Sequence, residues 1–274
     1  MSMNKQLIFG VFISLLLLAG TACKSEYEKL RTSTDTELLL KKANQYYEQE
    51  EWAKAQTLFE LVIGAYKGRP EAEKAYFYYA YTNYYQQKFT LASYYFKNFS
   101  NTFPNSKYRE EADYMEHYAN YNLSPSYRLD QTYTQKAIDG FQLFINTYPT
   151  SPKVKEANSL ITKMRTKLEN KTYKEAELYY DLKQYQAATQ SFQNLLKDFP
   201  DSPHAERVRF LIVKSYFNWA ENSIFTRQQD RYNNTIKYTK NFLRKHPKSK
   251  YRDELNSIIN KSNKQLKIIA NVGH

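Results

Sequence analysis

Residues 187–202, with the sequence AATQSFQNLLKDFPDS, contain the pattern that decides the fold. Ala188 and Phe192 stand four positions apart, which places them on one face of a helix. There the small side chain allows a neighbouring helix to approach, and the aromatic ring fills the space beside it. Pro200 ends the helix because it lacks an amide hydrogen, and Ser202 stands where it can cap the next helix. The stretch therefore predicts two packed helices joined by a short turn.

The same pattern recurs along the chain. Further pairs of alanine and phenylalanine four residues apart are Ala55 and Phe59, Ala92 and Phe96, and Ala137 and Phe141. Further turns with proline followed by serine occur at residues 103–106, 148–151 and 246–249, although the helix before the last one carries Thr235 and Thr239 at the pattern positions. The repetition predicts an all-α tetratricopeptide-repeat solenoid, because each helix pair needs neighbours to bury its apolar face.

The intervals between the alanines of successive pairs, Ala55, Ala92, Ala137 and Ala188, indicate the number of repeats. They are 37, 45 and 51 residues, longer than the roughly 34 residues of a tetratricopeptide unit. The extra residues must lengthen helices or loops, and we place inserted loops at 122–130 and 225–231. Residues 36–270 are then predicted to hold about five helix pairs in a right-handed stack.

The composition agrees with long helices. The chain has 274 residues, of which 42% are hydrophobic and 25% charged, and this balance excludes a disordered protein. With only 6 Gly and 8 Pro it favours helices over a many-stranded sheet. We expect most of the 27 tyrosines to pack at partly hydrated interfaces between helices. A specific aromatic ligand site is the alternative.

The N-terminal segment, residues 1–22, is predicted to be a signal peptide that is removed. Lys5 supplies its positive charge, and the apolar stretch from Leu7 to Ala19 follows. This stretch is shorter than the roughly 20 residues that a membrane-spanning helix needs.

Cys23 is the only cysteine, so it has no partner for an internal disulfide or a metal site. Residues 18–23, LAGTAC, resemble a bacterial lipobox, in which the cysteine is acylated after cleavage, although Gly20 stands where leucine is usual. We therefore predict a lipid anchor at Cys23, followed by a polar tether over residues 23–35. In such lipoproteins Lys24, in place of aspartate, implies sorting to an outer membrane.

No residue pattern indicates catalysis, a metal or a cofactor. The four histidines are not spaced as ligands on a helix, and no Gly-rich phosphate loop or nucleophile elbow occurs. Carboxylates such as Glu110, Glu111 and Asp113 fall on an amphipathic helix, where solvent exposure is the default. We expect the protein not to be an enzyme.

The first helices of the first two pairs are expected to line a concave groove. In this register the groove-facing residues are Leu40, Asn44, Tyr47, Phe77, Tyr81, Tyr84 and Tyr85. Aromatic positions with polar tips suit an extended peptide that carries its own aromatic residues. Packing between repeats is an equally good explanation of several of them.

Positive charge is concentrated in the last quarter of the chain. Residues 203–274 hold fifteen Lys or Arg and five Asp or Glu, which accounts for ten of the twelve net positive charges. We predict a docking surface for an acidic protein patch or for membrane phosphates at Lys237, Lys240, Arg244, Lys245, Lys248 and Arg252. A solvated helix face is the simpler alternative, and nucleic acid is not expected for a secreted lipoprotein.

Three stretches together resemble the BamD family, the lipoproteins of the outer-membrane β-barrel assembly machine. They are residues 41–60 (KKANQYYEQEEWAKAQTLFE), residues 79–106 and residues 173–202 (YKEAELYYDLKQYQAATQSFQNLLKDFPDS). The resemblance covers residues 37–220 and is weaker in the basic C-terminal part. One departure is Gln190-Ser191, which stands where the family pattern has a basic residue.

The resemblance implies a scaffold on the periplasmic face of the outer membrane. Its C-terminal repeats would bind the periplasmic repeat domains of the central barrel-assembly subunit. Its N-terminal repeats would receive unfolded outer-membrane proteins through an aromatic-ended C-terminal signal. The alternative is a surface or periplasmic lipoprotein that binds glycans on aromatic platforms, although repeat packing accounts for both Trp52 and Trp219.

Overall fold

The computed structural model describes residues 26–66, 69 and 71–272. The predicted signal peptide, Cys23 and the two residues after it lie outside this part. The described residues form twelve helices and no strand, which confirms the all-α tetratricopeptide class. The helices are α1 Glu26–Leu30, α2 Thr36–Glu48, α3 Trp52–Ala65, α4 Glu71–Tyr85, α5 Phe89–Thr102, α6 Arg109–Leu123, α7 Thr132–Thr147, α8 Val154–Asp181, α9 Tyr185–Asp198, α10 Ala205–Glu221, α11 Phe225–Lys245 and α12 Arg252–Val272.

Helices α2–α11 make five successive pairs, and α12 follows them. The small and aromatic positions of the sequence pattern lie in the core, each with 0% exposure: Ala55, Phe59, Ala92, Phe96, Ala137, Phe141, Ala188 and Phe192. The spacing of four residues therefore identified the packed face of α3, α5, α7 and α9 correctly.

The serines of the recurring turns stabilise the turn and not the helix that follows. The hydroxyl of Ser106 accepts the amide of Tyr108 at 3.0 Å, and that of Ser202 accepts the amide of His204 at 3.0 Å. Helices α6 and α10 begin only after these amides. The prediction that the serines cap the helices directly was wrong by two residues.

The turns inside three helix pairs share an unusual backbone conformation. Glu50, Gln87 and Lys183 have positive φ angles of 60°, 59° and 60°. They lie between α2 and α3, between α4 and α5, and between α8 and α9. A side chain in this left-handed region costs free energy, so the repeat geometry imposes the conformation on residues that do not favour it.

The predicted tether is partly folded. Residues Glu26–Leu30 form α1, and Leu30, which is 4% exposed, packs in the same hydrophobic core as Leu39 and Phe59. Tyr27 packs its ring against that of Tyr46, with centroids 5.9 Å apart. The two apolar side chains were overlooked because five residues are too few to show a helical period.

One predicted loop is a helix. Residues 225–231 begin α11, which runs for 21 residues to Lys245. This segment holds neither glycine nor proline, and its Arg and Gln residues are good helix formers, so nothing in it breaks the helix. The other predicted loop is confirmed, since α6 ends at Leu123 and α7 begins at Thr132. Much of the longest repeat interval is taken up by α8, which has 28 residues.

The chain divides into two compact units. The first runs to Ser124 and includes Asp139–Val154, and the second comprises Pro125–Ile138 and the chain from Lys155 onward. The first core is built around Leu58, Phe59 and Val62 of α3. None of the described helices is both long and apolar enough to cross a membrane.

The core of the second unit joins α8–α12. Its fully buried side chains include Phe192, Leu195, Phe242 and Leu255. A smaller cluster of Ala220, Tyr232 and Ile269 closes the C-terminal end of this unit.

Candidate functional site

Aromatic side chains of α2, α3 and α4 meet on one side of the first unit. The ring of Tyr47 contacts that of Trp52, with centroids 5.1 Å apart, and Trp52 stacks on Tyr85 at 4.3 Å. Tyr85 also stacks on Tyr81 at 5.6 Å. We call these four residues, together with Glu111 of α6, the aromatic cluster.

Glu111 joins the cluster through a hydrogen bond. The Tyr81 hydroxyl donates to Oε1 of Glu111 at 2.5 Å. Burial raises the pKa of Tyr81 far above its usual value, and the bond to Glu111 raises it further. Burial likewise raises the pKa of Tyr47, followed by the effects of Tyr85, Tyr78 and Glu111. Both phenols therefore remain neutral and act as hydrogen-bonding groups.

The face of α2 that carries Tyr47 also carries Asn44, one turn earlier, and Leu40, two turns earlier. Leu40 packs half-buried against the first core. Asn44 donates its amide to the carbonyl of Leu40 at 2.8 Å, whereas its buried Oδ1 has no hydrogen-bond partner among the described residues. This oxygen is therefore an unsatisfied acceptor enclosed by the fold.

The seven predicted groove residues differ in accessibility. Tyr85 is 44% exposed, while Leu40, Asn44, Tyr47 and Tyr84 are half-buried. Tyr84 lies at the far end of α4, where its ring meets that of Phe89 at 5.5 Å.

Phe77 does not face the groove, contrary to the prediction. It is 3% exposed because Tyr108 stacks on it at 4.6 Å and Phe99 packs beside it at 5.3 Å. Tyr81 is also buried, at 9% exposure, with its ring stacked on Tyr85 and its hydroxyl bonded to Glu111. The register placed both on the first helix of the second pair, but Tyr108, just before α6, covers Phe77, and Glu111 of α6 binds the hydroxyl of Tyr81.

Trp52 and Glu111 were missed as site residues. The sequence assigned Trp52 to repeat packing and Glu111 to a solvated face. The signal for Trp52 is its position at the start of α3, directly after the Glu50 turn, next to the end of α2. Glu111 lies 30 residues from Tyr81, so its role depends on how successive pairs pack and leaves no local signal.

The predicted basic residues are all exposed in the second unit, but they do not form one site. Lys237, Lys240 and Arg244 share the outward face of α11. Arg244 and Lys245 also line an open cleft of about 370 Å³ with Arg209.

The remaining two basic residues lie beyond the end of α11. Lys248 lines a different open cleft, of about 690 Å³, beside His204 and His246. The guanidinium of Arg252 donates to the carbonyl of Pro247 at 2.6 Å, which holds it against the turn. Among the described residues, none of the six predicted basic side chains forms an ion pair.

The sequence profile of the YfiO family, described as outer membrane lipoproteins, matches residues 32–222. This chain belongs to that family. The matched segment contains α2–α10 and every member of the aromatic cluster. The coarser part of the resemblance drawn from the sequence, an outer membrane lipoprotein with helical repeats, is thereby confirmed.

The other comparisons add little. No curated protein matches this YfiO-family chain. Among solved structures it is similar to one described as the TPR2AB-domain:pHSP90-complex of yeast Sti1, with 12% identity and a TM-score of 0.38 over 83% of this chain and 98% of that chain.

The family match ends before the basic helices. Residue 222 is the first residue after α10, so α11 and α12 lie beyond the matched segment. The predicted basic docking residues therefore gain no support from membership of the family.

Proposed function

We propose that this outer membrane lipoprotein is an assembly factor for outer-membrane β-barrel proteins, anchored through lipid on Cys23 at the periplasmic face. It acts without catalysis, by binding unfolded barrel proteins and the central barrel-assembly subunit so that folding and insertion are promoted. The observation that carries the proposal is the aromatic cluster in the repeats of a family of outer membrane lipoproteins.

The aromatic cluster suits an unfolded client for two reasons. Trp52 and Tyr85 form a partly exposed platform on which the aromatic residues of an extended chain can pack. Asn44 lies on the same face of α2 as Tyr47 and is half-buried, with its amide bonded to the carbonyl of Leu40. Leu40 adds an apolar contact on the same face of α2.

The outward face of α11 suits the partner subunit if the partner surface is acidic. Lys237, Lys240 and Arg244 are exposed and form no ion pair within the described chain, so they present their charge to solvent. Such a face accelerates association with a negative surface and fixes the orientation of docking.

Client binding is tested with peptides that correspond to the last ten or so residues of outer-membrane β-barrel proteins and end in phenylalanine. We expect Tyr85→Ala to weaken their affinity, measured by fluorescence anisotropy, about tenfold or more, because a central aromatic contact contributes about 2 kcal/mol. The matched control is Tyr94→Ala, which removes a 57% exposed ring of α5 outside the cluster. Equal losses in the two variants, or no binding by the wild type, would refute the client role.

Partner binding is tested by pull-down from detergent-solubilised envelopes. The wild type should recover a large barrel protein with periplasmic repeats, and charge reversal at Lys237, Lys240 and Arg244 should reduce its recovery. The control reverses the exposed Lys261, Lys264 and Lys267 of α12, which changes the net charge equally. Retention of glycans without any barrel partner would contradict the assembly role.

A further inference from the structure

Among the described residues, the carboxylate of Glu111 forms no ion pair. Its Oε1 accepts the Tyr81 hydroxyl, and no described lysine or arginine lies within ion-pair distance of it. Two lysines make cation–π contacts with other tyrosines, Lys74 with Tyr78 at 5.2 Å and Lys107 with Tyr108 at 5.0 Å. Although the chain carries a net charge of +12, the fold therefore leaves this half-buried carboxylate without an ion-pair partner among the described residues.

A tyrosine–glutamate pair of the second unit shows the contrast. Tyr173 donates to Glu177 at 2.6 Å, as Tyr81 does to Glu111. Glu177, however, is also paired with Lys174 at 2.9 Å and with Arg207 at 3.2 Å. In that pair the fold itself supplies the cations that a partly buried carboxylate needs.

The rings around Glu111 add a second preference for a cation. The faces of aromatic rings carry a negative potential that attracts ammonium and guanidinium groups, and Trp and Tyr attract them best. Tyr81, Tyr85 and Trp52 form a continuous stack of rings, from the hydroxyl that touches Glu111 to the partly exposed surface. Tyr85, which is 44% exposed, stacks on Tyr81, so the carboxylate and an accessible ring belong to neighbouring side chains of the cluster.

We propose that Glu111, Tyr81 and Tyr85 form a subsite for a positively charged side chain, arginine or lysine, of the bound client peptide. The inference rests on the proposed client role of the aromatic cluster and adds a charge requirement to it. The guanidinium of arginine suits the subsite best, because its planar N–H groups donate to the carboxylate while its face stacks on a tyrosine ring.

The test compares arginine with citrulline, which has nearly the same shape but no charge. A set of aromatic-ended ten-residue peptides carries one arginine at each position in turn, and a second set carries citrulline there. Affinities are measured with the full-length lipoprotein in detergent. At one position we expect arginine to bind about five- to thirtyfold more tightly than citrulline.

The variant Glu111→Gln should reduce that ratio to about one, while the amide still accepts the Tyr81 hydroxyl and keeps the rings in place. The control Glu110→Gln removes the same charge from the neighbouring position and should preserve the ratio. If the arginine and citrulline peptides bind equally tightly at every position, the subsite is overturned and the client role stays intact. A ratio that survives in Glu111→Gln would also overturn it, and a failure of all peptides to bind would overturn both proposals.

Discussion

Glu116 and His117 are adjacent residues of α6 whose pKa values are shifted in opposite directions. Burial raises the pKa of Glu116 to about 7; Lys97, 3.9 Å away, opposes the rise and Asp113 adds to it. Burial lowers the pKa of His117 to about 4, against a smaller opposing effect of Asp113. Each side chain therefore favours its neutral form in the folded protein.

The two residues contribute to stability with opposite pH dependence. The contribution of Glu116 is complete below its ordinary pKa of 4.5 and is lost as the pH rises to about 7, a change of about 3 kcal/mol. The contribution of His117 is complete above 6.5 and is lost as the pH falls to about 4, again about 3 kcal/mol. As the pH rises from 4.5 to 6.5, the loss of the Glu116 contribution is therefore largely offset by the gain of the His117 contribution.

Replacing Glu116 with glutamine should make the pH dependence contributed by His117 visible, because the opposing contribution of Glu116 is removed. In Glu116→Gln we expect the free energy of unfolding of the first unit to fall by about 2 to 3 kcal/mol between pH 6.5 and 4.5, because only the His117 contribution remains. Urea unfolding followed by the fluorescence of Trp52, with Trp219→Phe in all variants, reports on the first unit alone. The parent is the Trp219→Phe protein with Glu116 intact. Its free energy of unfolding should fall relative to that of Glu116→Gln as the pH rises from 4.5 to 7.

The control is Glu110→Gln, which removes a carboxylate from the first turn of the same helix and should follow the parent profile. Parallel pH profiles for Glu116→Gln and its parent would refute the reasoning. They would mean that the Glu116 carboxyl is as well solvated in the folded protein as in the unfolded chain.

Three further changes follow from the structure. Gly140→Ala should destabilise the first unit by about 1 to 2 kcal/mol in urea unfolding. The new Cβ would lie 2.2 Å from Nδ1 of the buried His117. A gain in stability would show that the His117 ring has room to move. Gln87→Gly should raise the free energy of unfolding by about 0.5 to 1 kcal/mol, since glycine adopts the positive φ of that turn without strain, and an unchanged or lowered value would contradict this. Cys23→Ala should leave the protein in the soluble periplasmic fraction, and a variant that still sediments with membranes after high-salt washing would show that another contact provides the anchor.

The repeat core could be predicted because its signal is local. Ala188 and Phe192 lie one turn apart, and every such pair is buried in the structure. The turns are also local, since each proline stops a helix within the same few residues. By contrast, the helical start of α11 was missed because repeat spacing suggested an insertion there, while the residues themselves contain no helix breaker.

The candidate site was predicted only in part because it depends on contacts between repeats. Tyr47 and Tyr85 were identified from their helix faces alone. The burial of Phe77 requires Tyr108, and the bond of Tyr81 requires Glu111, both from the following helix pair. Residues about 30 positions apart meet only once the packing of two pairs is known, and no periodicity in the sequence specifies which side chains then touch.

Helix α11 shows how the repeat pattern leaves a surface free for other uses. Thr235 and Thr239 replace the alanine and phenylalanine of the pattern and are fully buried. Their hydroxyls donate to carbonyls of the same helix, at 2.9 Å to Arg231 and 2.7 Å to Thr235, so burial leaves neither hydroxyl unsatisfied. Packing therefore constrains only this narrow face, and the opposite face can carry Lys237 and Lys240 at no cost to the core. Substitutions on that face should accordingly alter binding before they alter stability.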